Sequence, residues 1–79
     1  MSMIFDRLLK VFRQVMPYAD VSGITPESSL VLDLHVDSVT LLMLVLGIED
    51  EFRIRFDNMD NTAFTTVQDV ISYIESKTN

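Results

Sequence analysis

The residues of this chain best placed to do chemistry are Asp33-Leu34-His35-Val36-Asp37-Ser38-Val39. Ser38 opens the most hydrophobic stretch of the sequence, just after a long polar connection. A helix is expected to start there, at Asp37 or Ser38. The first N–H groups of a helix have no partner within it, and its dipole is positive at that end. Such a position suits a capping hydroxyl or carboxylate. It suits equally well a phosphate esterified to the hydroxyl. Residue types alone favour the simpler case, in which Ser38 or Asp37 only caps the helix. No second constellation competes with this one. The chain has one His, His35, and no Cys. A Cys–His pair, a Ser–His–Asp triad and a Cys- or multi-His metal site therefore cannot be assembled. Asp33 and Asp37 as an acid–base pair would need a pocket that a small bundle does not offer. We assign no catalytic residue and no metal ligand.

The elements that must position Ser38 are few, because the chain has 79 residues and forms one domain, 1–79. Hydrophobic residues make up 48% of it, with two Gly and two Pro, a globular composition. Without disulfides or a metal it must hold together by packing. The net charge of −6 disfavours nucleic acid and anionic lipid and favours basic protein partners. Residues 33–60 hold seven acids against Arg53 and Arg55, so most of the acidity belongs to one segment. The longest apolar run, Leu41 to Ile48, is far short of the ~20 residues of a membrane span, and no secretory signal is visible. A soluble, cytoplasmic monomer with no membrane insertion is expected.

Helical spacing of Ile4, Leu8, Val11 and Val15 predicts a first helix over Met3 to Met16, stopped by Pro17. A long connection to Val36 follows, with a single helical turn expected at Thr25-Pro26-Glu27. Val21, Ile24, Leu30, Leu32 and Leu34 are expected to pin it to the core. The second helix runs to Phe52. Leu41, Val45, Ile48 and Phe52 share one face, flanked by Leu42 and Leu44. Thr40, Gly47, Asp50 and Glu51 lie opposite, with Met43 in that polar arc. Arg53-Ile54-Arg55-Phe56 reads as an extended loop, and Asp60 to Phe64 as a short third helix. The last helix starts at Thr66, capped by Asp69, with Val67, Val70, Ile71 and Ile74 inward and fraying near Lys77. The expected fold is all-α: three main helices plus one short helix, a small four-helix bundle.

Asp33-Leu34-x-x-Asp37-Ser38-Val39 resembles the D-L-G-x-D-S-L signature of acyl carrier proteins. Glu49-Asp50-Glu51-Phe52 resembles the family's E-E-E-F, Thr65-Thr66-Val67-Gln68-Asp69-Val70 its T-T-V-Q-D-A, and Tyr73-Ile74 its Y-I. The likeness keeps register over nearly the whole chain. It implies a carrier and not an enzyme. Ser38 would receive 4′-phosphopantetheine from CoA through a phosphopantetheinyl transferase, with Asp37 as its flanking acid. The thiol of that arm would hold acyl groups as thioesters, which accounts for a thioester carrier without Cys. Fatty-acid synthesis, or a specialised polyketide or lipid route, would be the setting. An aminoacyl carrier (D-alanyl or peptidyl) and an unmodified helical adaptor are the alternatives.

The departures from that pattern bear on partners. His35 stands where the family usually has Gly, and Val39 replaces Leu. Thr40 and Met43 stand where acids are common, in the arc that meets basic patches on partner enzymes. The resemblance places docking on Val39, Thr40, Met43, Gly47, Asp50, Glu51, Asp57 and Asp60. The partners would be acyl-transfer, ligase or synthase enzymes with basic patches. An acyl chain would enter between the helices, lined by Leu42, Leu46, Phe52, Ile54, Ala63 and Ile71.

Overall fold

The computed structural model describes residues 3–56 and 64–78. Three α-helices are present among them: α1 (Met3–Val15), α2 (Ser38–Phe52) and α3 (Val67–Thr78). They enclose one core, in which Leu8, Val11 and Phe12 of α1 meet Leu44 and Ile48 of α2 and Val67, Val70, Ile71 and Ile74 of α3. This is the expected small all-α bundle. The short helix expected over Asp60 to Phe64 falls almost wholly outside the described residues.

The periodicities of the sequence translate directly into burial. α1 ends where Pro17 removes the next N–H, and the amide of Met16 makes the last bond of the helical pattern, to Phe12 O. Met16 itself is fully buried just beyond the helix. In α3 the Asp69 carboxylate accepts the backbone N–H groups of Thr65 at 2.8 Å and Thr66 at 3.0 Å. The Asp69 N–H in turn donates to Thr66 Oγ1 at 3.3 Å. This reciprocal cap is the one expected from the Thr66/Asp69 spacing. The helix continues one residue past Lys77.

The connection from Pro17 to Asp37 differs from expectation in two places. Its single helical turn lies at Val21–Gly23, where Asp20 accepts the N–H of Ser22 at 3.0 Å and its hydroxyl at 2.6 Å. Thr25-Pro26-Glu27 is instead a turn closed by Ser28 N–H to Thr25 O. Asp20 wins because its carboxylate satisfies two donors at once. Ile24, Leu30 and Leu34 are buried as expected, but Leu32 is exposed at the tip of the next turn. Backbone bonds stitch this connection to the start of α3: Leu30 N–H to Thr65 O, Val67 N–H to Ser28 O and Gln68 N–H to Pro26 O. They include a single antiparallel bridge between Ser29 and Thr66.

α2 is held against α1 by a close approach. A Cβ added to Gly47 would lie 2.9 Å from Val11 Cγ1 and 3.6 Å from Val15 Cγ2. Only a residue without a side chain lets the two helices meet there. Below this crossing, Glu51 takes an ion pair from Arg7 at 3.0 Å and from Lys10 at 3.4 Å. The Arg7 guanidinium also lies 4.4 Å from the ring centroid of Phe52.

Candidate functional site: a serine at the head of α2

Ser29 organises the turn that leads to Ser38. Its N–H donates to the Asp33 carboxylate at 2.6 Å, its hydroxyl accepts the Leu32 N–H at 3.0 Å, and its carbonyl accepts the N–H groups of Asp33 and Leu34. Asp33 therefore shapes the loop and does not face the serine as a chemical partner. His35 follows in the left-handed region, with φ of 57°. That conformation costs an ordinary side chain and is free for glycine, which gives a physical reason for glycine at this place. His35 is solvent-exposed, as expected for a loop residue.

Asp37 is the N-cap of α2, and its carboxylate accepts the Thr40 N–H at 2.7 Å. That bond to the backbone N–H of Thr40, with a lesser contribution from the Thr40 hydroxyl, holds the carboxyl below the usual aspartate range. Capping is thus done by Asp37, and Ser38 is the first residue of the helix. Ser38 is exposed, and among the described residues no hydrogen bond engages its hydroxyl. The serine is free to be a site of attachment because its neighbour has taken the capping role.

Beside Ser38 opens a cleft of about 270 Å³ lined by Leu30, Val31, Val36, Asp37, Leu41 and Phe64. Three of these, Leu30, Leu41 and Phe64, also wall an interior slit that reaches Phe12, Ile48 and Val70. The slit holds about 10 Å³, roughly the space of one water molecule. The cleft beside the serine and the interior slit thus share the wall formed by Leu30, Leu41 and Phe64. A covalent group on Ser38 fits this setting: the hydroxyl is exposed and unengaged among the described residues, with an apolar cleft beside it.

Residues 6–74 of the chain match the phosphopantetheine attachment site family. The chain belongs to the acyl carrier proteins. It is 43% identical to the acyl carrier protein of Thermotoga maritima over 73% of this chain and 72% of that one. With the acyl carrier protein of Desulforapulum autotrophicum it shares 35% identity over 90% and 92% of the two chains. The acyl carrier protein of Nitratidesulfovibrio vulgaris is 39% identical over 86% and 92%. The molecule is therefore a carrier and not a catalyst. Its cofactor is 4′-phosphopantetheine, and its functional contacts are with acyl chains and acyl-processing enzymes.

The structure redistributes the other expected site residues of this carrier. Of the docking set, Val39, Met43 and Asp50 are exposed on the outer face of α2, and Thr40 is half-buried. Gly47 does not belong to that face, because it lies under α1 at the helix crossing. Glu51 is committed to Arg7 and Lys10. Asp57 and Asp60 lie outside the described residues. Of the expected acyl lining, Leu42 and Leu46 are not between helices: they stand 56% and 57% exposed beside Val39 at 66% and Met43 at 48%. Their spacing (39, 42, 43, 46) forms an outward stripe that competes with the core stripe in the sequence, and α1 takes the other flank. Phe52 and Ile71 are buried in the core, and Ile54 borders an open groove at the end of α2. Ala63 is outside the described residues. The apolar residues that line the cleft beside Ser38, Leu30, Val31, Val36, Leu41 and Phe64, were not among the expected lining. Their only signal was apolar character on both sides of Ser38 in sequence.

Proposed function

We propose that Ser38 is the residue that receives 4′-phosphopantetheine. The observation that carries this is the division of labour at the head of α2, where Asp37 caps the helix and leaves the Ser38 hydroxyl exposed and unbonded. Once attached, the arm supplies the thiol that carries acyl groups as thioesters. The chain's own part is to hold the attachment point. Asp33, through Ser29, fixes the preceding turn, and Asp37 orders the first turn of α2 by accepting the Thr40 N–H. Leu30, Leu41 and Phe64 offer the bound chain a way toward the core. Fatty-acid synthesis or a specialised polyketide or lipid route is the setting this supports. We infer a cytoplasmic monomer; no helix among the described residues is long and apolar enough to cross a membrane.

The test is intact-mass analysis after incubation with CoA and a phosphopantetheinyl transferase. Wild type gains one phosphopantetheinyl mass, and Ser38→Ala gains none. Modification of the alanine variant would place the site elsewhere. An unmodified wild type across several transferases would refute the assignment. Mass spectrometry of the protein from its own cells would then show whether the thioester holds an acyl chain or an amino acid.

A further inference from the structure

Phe56 follows α2, Phe64 precedes α3, and Tyr73 lies within α3. The fold brings their three rings together. Phe56 and Tyr73 stack, with centroids 4.6 Å apart and planes 21° from parallel. Phe64 meets both at steep angles, 6.0 Å and 81° from Phe56 and 5.6 Å and 69° from Tyr73. These are favoured ring geometries, so each side chain braces the other two. The backbone that carries them is held as well. The Phe56 N–H donates to the Glu49 carboxylate at 2.9 Å. Thr65, next to Phe64, donates its N–H to the Asp69 carboxylate at 2.8 Å, and its carbonyl accepts the Leu30 N–H at 3.0 Å. Phe56 and Phe64 line the interior slit, and Phe64 also lines the cleft beside Ser38. The cleft measures about 270 Å³ and the slit about 10 Å³. A water-sized group needs about 10–15 Å³ on this measure, and a methylene is of similar size. The slit therefore has room for roughly one carbon of a chain. Admitting more would part the rings and give up their close packing.

We propose that Phe64, braced by Phe56 and Tyr73, limits how much of an acyl chain enters the bundle, so that the cargo sheltered here is a short acyl group lodged in the cleft beside Ser38. A chain of about eight carbons or more stays mostly outside, because the slit holds roughly one of them. Phe64 is the aromatic wall common to cleft and slit, and removing its ring joins the two spaces. The triad thus sets cargo length, and the proposal rests on the reading of Ser38 as the attachment site.

The experiment uses the full chain, loaded by a transferase with CoA or with acetyl-, butyryl- or octanoyl-CoA, each product checked by intact mass. Tm and the rate at which hydroxylamine cleaves the thioester are then measured. A chain buried in the bundle leaves water and raises Tm, and one that stays outside does not. Wild type is expected to keep the same Tm within about 1 °C in all four forms, and cleavage rates within about twofold across the three thioesters. In Phe64→Ala, octanoyl loading is expected to raise Tm by about 4 °C or more over the same variant with the bare arm, and to slow cleavage about fivefold, while acetyl loading does neither. Phe64→Leu keeps apolar bulk without the ring contacts. It should fall between the two and carries the comparison if the alanine variant does not fold. Octanoyl loading that raises the wild-type Tm by several degrees, or that slows its cleavage about fivefold, would overturn the proposal while leaving Ser38 as the attachment site. So would folded Phe64 variants that gain nothing from the octanoyl chain. Failure of wild type to load at all would remove the Ser38 reading and this proposal with it.

Discussion

Leu42 and Leu44 are two residues apart in one helix and belong to different worlds. Leu44 is almost wholly buried against α1 and α3, and Leu42 is more than half exposed beside Met43. The inner side of α2 is specialised for close packing, down to a glycine beneath Val11. The outer side keeps similar apolar side chains in water, where they add little to folding stability. A chain of 79 residues has little core to spare. Val39, Leu42, Met43 and Leu46 nevertheless stay outside it. The comparison also teaches that hydrophobicity in α2 does not by itself tell a buried side chain from an exposed one.

The strongest way to break this comparison is to truncate both leucines. Leu44→Ala should lose about 2–5 kcal/mol of unfolding free energy, the usual cost of a cavity in a packed core. Leu42→Ala should change it by less than about 0.5 kcal/mol. Urea denaturation followed by circular dichroism reads both, and similar losses would show that the outer face is packed after all.

Gly47 tests the seam between α1 and α2. Gly47→Val should destabilise by about 1–3 kcal/mol through overpacking against Val11. Gly47→Val combined with Val11→Ala should recover part of that loss. A neutral Gly47→Val would mean that the helices do not meet there.

Asp37 sharpens the contrast at the head of the helix, where one residue caps and the next is left free. Asp37→Ala should cost about 0.5–2 kcal/mol, while Ser38→Ala should leave stability nearly unchanged and abolish loading. The pH dependence has a defined sign. Hydrogen bonds lower the pKa of Asp37, through Thr40 N–H first, and of Asp69, through the N–H groups of Thr66 and Thr65. A salt-bridged Glu51 is lowered by Arg7 first and then by Lys10. The folded chain therefore binds fewer protons than the unfolded one in mild acid. Their contribution is full above the unfolded carboxylate range of about 4 and disappears as pH falls through the lower folded values. Thermal scans should show Tm falling on acidification below about pH 5, and less steeply in Asp37→Ala. An identical slope in the variant would show that Asp37 does not titrate with folding.

The smallest effect belongs to His35. His35→Gly removes the left-handed penalty but frees the unfolded chain, so the two terms oppose and stability should move by less than about 1 kcal/mol. A loss well beyond that would reveal a contact of His35 that matters to the fold.

The three helices and their inward residues were legible in the sequence because helical periodicity and capping are local properties. Ile4 to Val15, Val67 to Ile74 and the Thr66/Asp69 cap could be read without knowing what they touch. The D-S pair and its surroundings likewise marked Ser38. What only the tertiary structure decided was how the remaining sides of α2 are shared. A helix wheel puts Leu42 at the flank of the core face and Gly47 and Glu51 opposite it, but does not show which of them another helix will cover. That depends on α1 approaching over Gly47 and on Arg7 reaching a glutamate 44 residues away. The same long-range contacts took Glu51 out of the acidic face. Net charge is a property of the sequence, but the charge a partner meets depends on which side chains the fold has already paired.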